Sequence, residues 1–94
     1  MHFVIFAKDK AGALDVRMAN RDAHIAFLKA GGNVTVKVAG PMLSDDGETM
    51  IGSMLIVEAA SLLAVKAWAK ADPYAKAGLS QSVEILPYNW AIGS

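Results

Sequence analysis

Hydrophobic residues along this chain repeat with two different periods, one typical of β-strands and the other of α-helices. Short runs of β-branched and aromatic residues predict strands, because such side chains pack well on a pleated surface. Longer segments with helical spacing and capping residues at their ends predict helices. The expected strands cover residues 2–8, 34–38, 52–58 and 82–87, and the expected helices cover residues 15–30 and 61–71.

The resulting order, β-α-β-β-α-β, predicts an α+β fold of the ferredoxin-like type with a four-stranded antiparallel sheet. In that arrangement the first and third strands lie in the centre of the sheet, and here both are apolar on their two faces. The second and fourth strands carry polar residues such as Lys37 and Glu84 on one face, which is typical of edge strands. We expect Gly40-Pro41 to end the second strand.

One face of this sheet is expected to lack a covering layer within the chain. Two helices can cover only one face of a four-stranded sheet, yet the central strands carry apolar side chains on both. The chain has 94 residues, 54% of them hydrophobic, and a single domain over residues 1–94 buries only part of its surface. We therefore expect a homodimer in which the second face packs against another copy of the chain.

Composition argues against several classes of partner and location. Nine basic side chains balance nine acidic ones, so the chain lacks the basic footprint of a nucleic-acid-binding protein. Cysteine is absent, which excludes disulfide bonds, thiolate metal sites and a cysteine nucleophile. The apolar runs are shorter than the ~20 residues of a membrane span, and no basic segment precedes the first run as in a secretory signal. A cytoplasmic protein is the expectation.

The candidate chemistry is concentrated on the first helix. Arg17, Arg21 and His24 are spaced by four and three residues, which places them on one face of a helix. Arginine binds carboxylate or enolate-like oxygens through two parallel hydrogen bonds, which lysine cannot reproduce. Two nearby guanidinium groups disfavour the imidazolium form of His24, and a neutral imidazole is what a general base requires. These residues predict a small anionic ligand beside a proton-transfer group.

The same helix is expected to bury an apolar stripe against the sheet. Its members are Val16, Ala19, Ala23, Ala26, Phe27 and Ala30. This assignment leaves Arg17, Arg21 and His24 at the margin of the buried face.

Two aspartates are further candidates for functional residues. Asp72 stands before Pro73, and this pair is also typical of an N-cap followed by the first residue of a short helical turn. Capping and a functional role are compatible, and the sequence leaves both open. Asp9 follows the first central strand, where ligand-binding groups often project, although an ordinary turn aspartate fits as well.

Further positions bear on the ligand. Gly40-Pro41 fits either a turn or a close approach of the backbone to a ligand, and Tyr74 lies where it could line a pocket. Two histidines without paired helical spacing give a weak case for a metal site, and we expect neither a metal nor a cofactor. One histidine suffices to bind haem, so that alternative stays open.

Together these positions resemble the YCII-related protein family over nearly the whole chain. The matching residues are Asp9, Arg17, Arg21, His24, Gly40-Pro41, Gly52 and the tripeptide Asp72-Pro73-Tyr74. The resemblance implies a dimeric α+β barrel, in which two ferredoxin-like subunits pack sheet to sheet. It also implies an active site that pairs the helix histidine, His24, with an aspartate, most plausibly Asp72. Members of the wider superfamily include muconolactone isomerases, a dehydrochlorinase of a hydroxylated aromatic, small monooxygenases and haem proteins, so the fold alone does not give the function.

We expect an enzyme of the lyase or isomerase type that acts on a small oxygenated compound, a class that includes anionic and aromatic molecules. In this hypothesis His24 and Asp72 form the acid–base pair, and Arg17 or Arg21 binds an anionic oxygen. The remaining members of the predicted substrate site are Asp9, Pro41 and Tyr74. A non-enzymatic module that binds a metabolite is the alternative, and a haem-binding or monooxygenase-like protein is the third hypothesis.

Overall fold

The computed structural model describes residues 1–93 and has the expected order of elements. Its strands are β1 (His2–Asp9), β2 (Val34–Leu43), β3 (Met50–Ala59) and β4 (Ser80–Tyr88), and its helices are α1 (Leu14–Lys29), α2 (Leu62–Lys70) and α3 (Pro73–Lys76). Side-chain caps start the last two helices, since Ser61 accepts the Ala64 N–H and Asp72 accepts the Tyr74 N–H. The α+β, ferredoxin-like prediction is confirmed.

All four strands form one antiparallel sheet in the order β2-β3-β1-β4. The central strand β1 pairs on both sides, so that Ile5 lies opposite Leu55 in β3 and Ile85 in β4. The prediction that the first and third strands are central is therefore confirmed, as is the edge position of the second and fourth.

The hydrophobic core lies between the sheet and the helices. Phe3, Val57 and Val65 are completely buried there, the first two from paired positions on the central strands and the third from α2. At the border of this core the Phe27 ring of α1 stacks on the Trp68 ring of α2, with centroids 5.0 Å apart. This contact joins the two helices over one face of the sheet.

The opposite face of the sheet is apolar at its centre. Val4 and Ile56 lie opposite each other on β1 and β3 and are almost buried by their neighbours. Around them Phe6, Val38 and Leu86 are 42%, 37% and 49% exposed. The described chain leaves these large hydrophobic side chains in contact with solvent.

The second strand is longer than the sequence indicated, and the prediction that Gly40-Pro41 ends it is wrong. β2 continues through both residues to Leu43, and Pro41 lies opposite Ser53 of β3. Proline is tolerated because β2 is an edge strand, where one side of the backbone needs no hydrogen-bonded neighbour. The register also shifts between Val36 and Val38, so that Lys37 falls at an irregularity in the ladder.

The predicted apolar stripe of α1 is also wrong, except at the half-buried Phe27. Ala19 and Ala23 are exposed, whereas Arg17 and His24 are only 3% and 7% exposed. The helix is therefore rotated so that Arg17 and His24, and not the alanines, point into the protein interior. The physical reason is that both side chains have acidic partners inside, which offset the cost of burying them.

Gly52 is required where β3 passes β1. A methyl group on its Cα would lie 2.5 Å from the Ala7 carbonyl oxygen, a backbone atom that cannot swing away. Gly52→Ala should therefore lower the free energy of unfolding by about 1–3 kcal/mol, measured by urea denaturation. Gly40→Ala on the neighbouring strand is the matched control, because the same methyl group there meets nothing within 4 Å. Equal unfolding midpoints for the two variants would contradict the steric explanation.

Candidate functional site

A buried ion pair joins α1 to the sheet. Arg17 donates from Nε and Nη2 to the two carboxylate oxygens of Asp9, at 2.7 and 2.9 Å, and from Nη2 to Ser53 Oγ at 2.8 Å. Asp9 ends β1 and Ser53 lies in the neighbouring strand β3, so the guanidinium spans both central strands. This bidentate geometry gives a strong, charge-assisted contact. Arg17 is thus held in place by the protein itself.

Burial and pairing act in opposite directions on the charge of Arg17. Burial by itself lowers the pKa of the guanidinium, but the hydrogen bond and negative charge of Asp9 raise it, and the resulting pKa lies above the ordinary value. Arg17 therefore stays a cation whose charge is matched by Asp9. Because Asp9 is committed to this pair, it is not the partner of His24.

His24 has the aspartate partner that the sequence favoured. Its Nδ1 lies 2.8 Å from Asp72 Oδ1 and 2.9 Å from Oδ2. Asp72 Oδ1 also accepts the Tyr74 N–H at 2.9 Å, so the carboxylate caps α3 and contacts the imidazole at once. Capping and the contact with His24 were both left open by the sequence, and both are present. The catalytic role of the pair stays a prediction.

This contact determines which nitrogen of His24 is engaged by the protein. A carboxylate at Nδ1 accepts a hydrogen bond, and we assign the Nδ1–H tautomer to the neutral ring on that basis. Within residues 1–93 no protein group is hydrogen-bonded to Nε2. The Nε2 lone pair of the neutral ring is therefore available to a ligand. The charged groups around His24 include carboxylates as well as guanidinium groups, since Asp72 contacts the ring and Asp9 pairs with Arg17.

Tyr74 forms a wall of the site between these side chains. Its ring stacks on the His24 ring with centroids 3.8 Å apart and an interplanar angle of 11°, and Arg17 Cζ lies 4.8 Å from the Tyr74 centroid. Tyr74 is 5% exposed. Burial raises the pKa of its hydroxyl above the ordinary value, although the positive charges of Arg17 and Arg21 lower it. Tyr74 is thus a neutral phenol at physiological pH.

Arg21 differs from Arg17 in having no acidic partner. It is exposed, and within residues 1–93 it takes part in no ion pair or hydrogen bond. It nevertheless lines the same cavity as His24 and Tyr74. Of the two arginines predicted to bind an anion, Arg21 is the one whose guanidinium is available.

Two cavities flank the stacked rings. The larger one, about 160 Å³, lies between α1 and the strands β2 and β3. Its polar lining comes from Arg17, Arg21, His24, Ser53 and Tyr74, and its apolar lining includes Ile25, Leu28, Pro41 and Leu55. The smaller one, about 50 Å³, lies on the side of α2 and α3 and is lined by Asp9 and Asp72. A protein cavity of about 150 Å³ binds a benzene ring, so the larger cavity has the size for one ring.

The fold therefore brings the predicted site residues together, but they border two separate cavities, which the sequence did not indicate. Arg21, Pro41 and Tyr74 border the larger cavity with His24, while Asp9 and Asp72 border the smaller one. Ser53 was not predicted, although a small polar residue in an otherwise apolar central strand was a usable signal. Within residues 1–93 no group of three or more histidine or acidic side chains could hold a metal ion. Nor is any helix in that part of the chain long and apolar enough to cross a membrane.

The two arginines should differ in their contribution to stability. Arg17→Met leaves the Asp9 carboxylate buried without its partner, and breaking a buried pair in this way should cost about 3–5 kcal/mol of unfolding free energy. Arg21→Met is the matched control on the same helix and should change stability by less than about 0.5 kcal/mol. Urea denaturation measures both. Similar losses for the two variants would show that the Arg17–Asp9 contact is not what holds the helix.

Comparison with known proteins agrees with this architecture. A family model described as the YCII-related domain matches residues 1–89. Proteins named YciI from Escherichia coli O6:H1 and Shigella flexneri are each 39% identical, over 94% of this chain and 96% of theirs. An uncharacterised protein from Haemophilus influenzae is 34% identical over the same shares.

Two solved structures are similar as well. One is a 5-chloro-2-hydroxyhydroquinone dehydrochlorinase from Burkholderia phenoliruptrix, in complex with 2,5-dihydroxybenzoquinone. It is 38% identical with a TM-score of 0.81, covering 95% of this chain and 94% of that one. The other is an uncharacterised NIPSNAP domain protein from Burkholderia xenovorans, 13% identical with a TM-score of 0.53, covering 99% and 98%, which shows likeness of fold alone. On the family model and the relatives together, the chain belongs to the YCII-related domain family.

Proposed function

We propose that this protein is a small-molecule enzyme that uses His24 as a general acid–base on a planar, hydroxylated ring compound, with isomerase or lyase chemistry. The observation that carries the proposal is the contact between His24 Nδ1 and the Asp72 carboxylate at 2.8 Å. This contact directs the other ring nitrogen, Nε2, away from protein partners in a residue that lines a cavity of about 160 Å³.

Asp72 orients the imidazole and stabilises the cation that forms when His24 accepts a proton. A carboxylate at Nδ1 holds the ring in the tautomer whose Nε2 is basic, and its negative charge offsets the new positive charge. Tyr74 restricts the rotation of the imidazole further, because the two rings stack at 3.8 Å. The base is thus preorganised from two sides.

The size and charge of the larger cavity favour a ring-sized anion. Its volume matches a single six-membered ring, and its apolar wall includes Ile25, Leu28 and Leu55. Arg21 supplies a guanidinium that has no acidic partner within residues 1–93, and such a group attracts an ionised hydroxyl or carboxylate. A haem-binding role fits less well, because a porphyrin is far larger than this cavity.

The proposed reactions require the protein to supply only proton transfers. When Nε2 removes a proton from a ring hydroxyl, the oxygen becomes a carbonyl oxygen, and return of the proton to a ring carbon completes an isomerisation. If that carbon carries chloride, removal of a second hydroxyl proton expels the chloride with its bonding electrons, and the net loss is HCl without an external oxidant. The 38% identity to a dehydrochlorinase of a chlorinated hydroxyhydroquinone supports this class of reaction for the present chain.

Substitution of the acid–base pair should abolish turnover while the fold survives. With 5-chloro-2-hydroxyhydroquinone as the first trial substrate and chloride release as the assay, His24→Asn should lose about 10²–10⁴-fold in rate. Asp72→Asn should lose a similar factor, and it should keep α3 intact because asparagine caps helices as well as aspartate. Asp22→Asn is the matched control, since Asp22 is exposed on α1 and should leave the rate unchanged.

The same variants distinguish an enzyme from a binding module. Binding of 2,5-dihydroxybenzoquinone, followed by calorimetry, should change only a few-fold in His24→Asn. If the wild-type protein binds hydroxylated quinones but converts none of a panel of hydroxylated aromatics, the catalytic proposal fails and a metabolite-binding module replaces it.

We infer in addition that two copies pack through the apolar face of the sheet. Phe6, Val38 and Leu86 surround the nearly buried pair Val4 and Ile56 there. A patch of this kind on a small domain is typical of a subunit interface, and a stable dimer should bury more than about 1,000 Å² in total.

Light scattering should therefore give twice the chain mass of 9.9 kDa at micromolar concentration. Phe6→Glu should dissociate the dimer, because it puts a charge into the apolar face. Leu63→Glu is the control, since Leu63 is 77% exposed on α2, on the other side of the sheet. A wild-type mass of one chain would overturn the inference.

A further inference from the structure

The Tyr74 hydroxyl lies beside the Arg17 guanidinium, which can only donate, and no group within residues 1–93 accepts the hydroxyl proton. Tyr74 is 5% exposed, and within residues 1–93 its backbone makes two hydrogen bonds, from the N–H to Asp72 and from the Leu79 N–H to the carbonyl oxygen. Buried tyrosine hydroxyls usually have a partner. Among the described residues every side-chain nitrogen or oxygen that is shut off from solvent is hydrogen-bonded, so the Tyr74 oxygen must border open space. Both cavities beside Tyr74 provide that space, and only the larger one has room for a ring.

The charges around this hydroxyl favour a negatively charged oxygen as its partner. Arg17 and Arg21 both act on the Tyr74 hydroxyl, and burial keeps its pKa above the ordinary value, so it retains its proton. Arg17 is committed to Asp9 and Ser53, which leaves Arg21 as the available cation. The larger cavity is therefore lined by Tyr74, which carries a neutral O–H donor, and by Arg21, whose guanidinium has no acidic partner within residues 1–93.

We propose that the Tyr74 hydroxyl and the Arg21 guanidinium together bind the ionised oxygen of a ring substrate, so that the cavity selects phenolates and enolates over rings without such an oxygen. This assignment rests on the proposed function and specifies its substrate class. In the reaction described above, negative charge develops on a ring oxygen as a proton leaves. Two donors directed at that oxygen stabilise the charge in a site partly shielded from water.

Stacking on His24 is the other role that Tyr74 can have, and the two roles respond differently to substitution. Tyr74→Phe keeps the aromatic ring, and with it the stack at 3.8 Å, but removes the O–H donor. A role limited to stacking therefore predicts no effect of Tyr74→Phe on ligand binding. A role in oxygen binding predicts a loss that depends on the charge of the ligand.

The test uses 4-nitrophenol, whose ionised form is followed by its visible absorbance, and nitrobenzene, which lacks the hydroxyl oxygen. Wild-type protein should bind 4-nitrophenolate more tightly than 4-nitrophenol, so that bound ligand ionises at lower pH than free ligand. Tyr74→Phe and Arg21→Gln should each weaken binding of the phenolate about tenfold to a hundredfold, the range for one hydrogen bond to a charged group. Nitrobenzene should bind wild type and Tyr74→Phe equally. Tyr88→Phe, on β4, is the matched control and should behave as wild type.

Three results would overturn the assignment. They are phenolate binding by Tyr74→Phe equal to wild type, a wild-type protein without preference for the ionised form, and absence of 4-nitrophenol binding up to its solubility limit. The proposed acid–base role of His24 is tested by a separate experiment, the rate of chloride release. A rate loss in His24→Asn with normal phenolate binding by Tyr74→Phe would remove only the oxygen-binding role. A normal rate in His24→Asn with weakened phenolate binding by Tyr74→Phe would remove only the proposed role of His24 as catalytic base.

Discussion

The buried ion pair between Arg17 and Asp9 is the constraint on which the arrangement of the site depends. Without it, α1 would be expected to turn its alanines toward the sheet, as an amphipathic helix normally does. The pair makes the opposite orientation possible, because the charge that enters the interior is matched by two hydrogen bonds to a carboxylate. A buried pair adds little net stability compared with apolar packing, but it strongly disfavours arrangements in which either charge is left alone. Its role here is therefore to specify how the helix is rotated.

The rotation of α1 brings His24 to the interior, two turns beyond Arg17. There it meets Asp72, which is held in place because it also caps α3. A single carboxylate thus connects the start of a short helix with the imidazole of a long one. The rotation of α1 also gives the two arginines different roles. Arg17 is hydrogen-bonded to Asp9 and Ser53, while Arg21, one turn further along the helix, remains unpaired among residues 1–93 and borders the ring-sized cavity.

Much of this could be read from the sequence, and the failures have definite physical causes. The strand order and the two capped helices follow from local patterns that the fold preserves, whereas the pairing of His24 with Asp72, 48 residues away, was implied by the family resemblance. The predicted stripe of α1 was wrong because hydrophobic periodicity assumes that apolar residues face inward, and it takes no account of Asp9 and Asp72, the acidic partners of Arg17 and His24. The predicted end of β2 was wrong because proline is compatible with an edge strand, and whether a strand lies at an edge depends on the whole sheet. Ser53 was missed because its partner Arg17 lies 36 residues away.

The protonation state of the His24 ring tests the account most directly, because the proposed acid–base chemistry requires a basic Nε2 and a carboxylate at Nδ1. Nitrogen-15 NMR of the imidazole distinguishes the two neutral tautomers at a pH where the ring carries no charge. The account predicts a protonated Nδ1 and an unprotonated Nε2 for His24 in the wild-type protein. In Asp72→Asn the preference for this tautomer should weaken. A wild-type spectrum in which Nε2 carries the proton would contradict the account, since the nitrogen that faces the ligand would then have no lone pair to accept one.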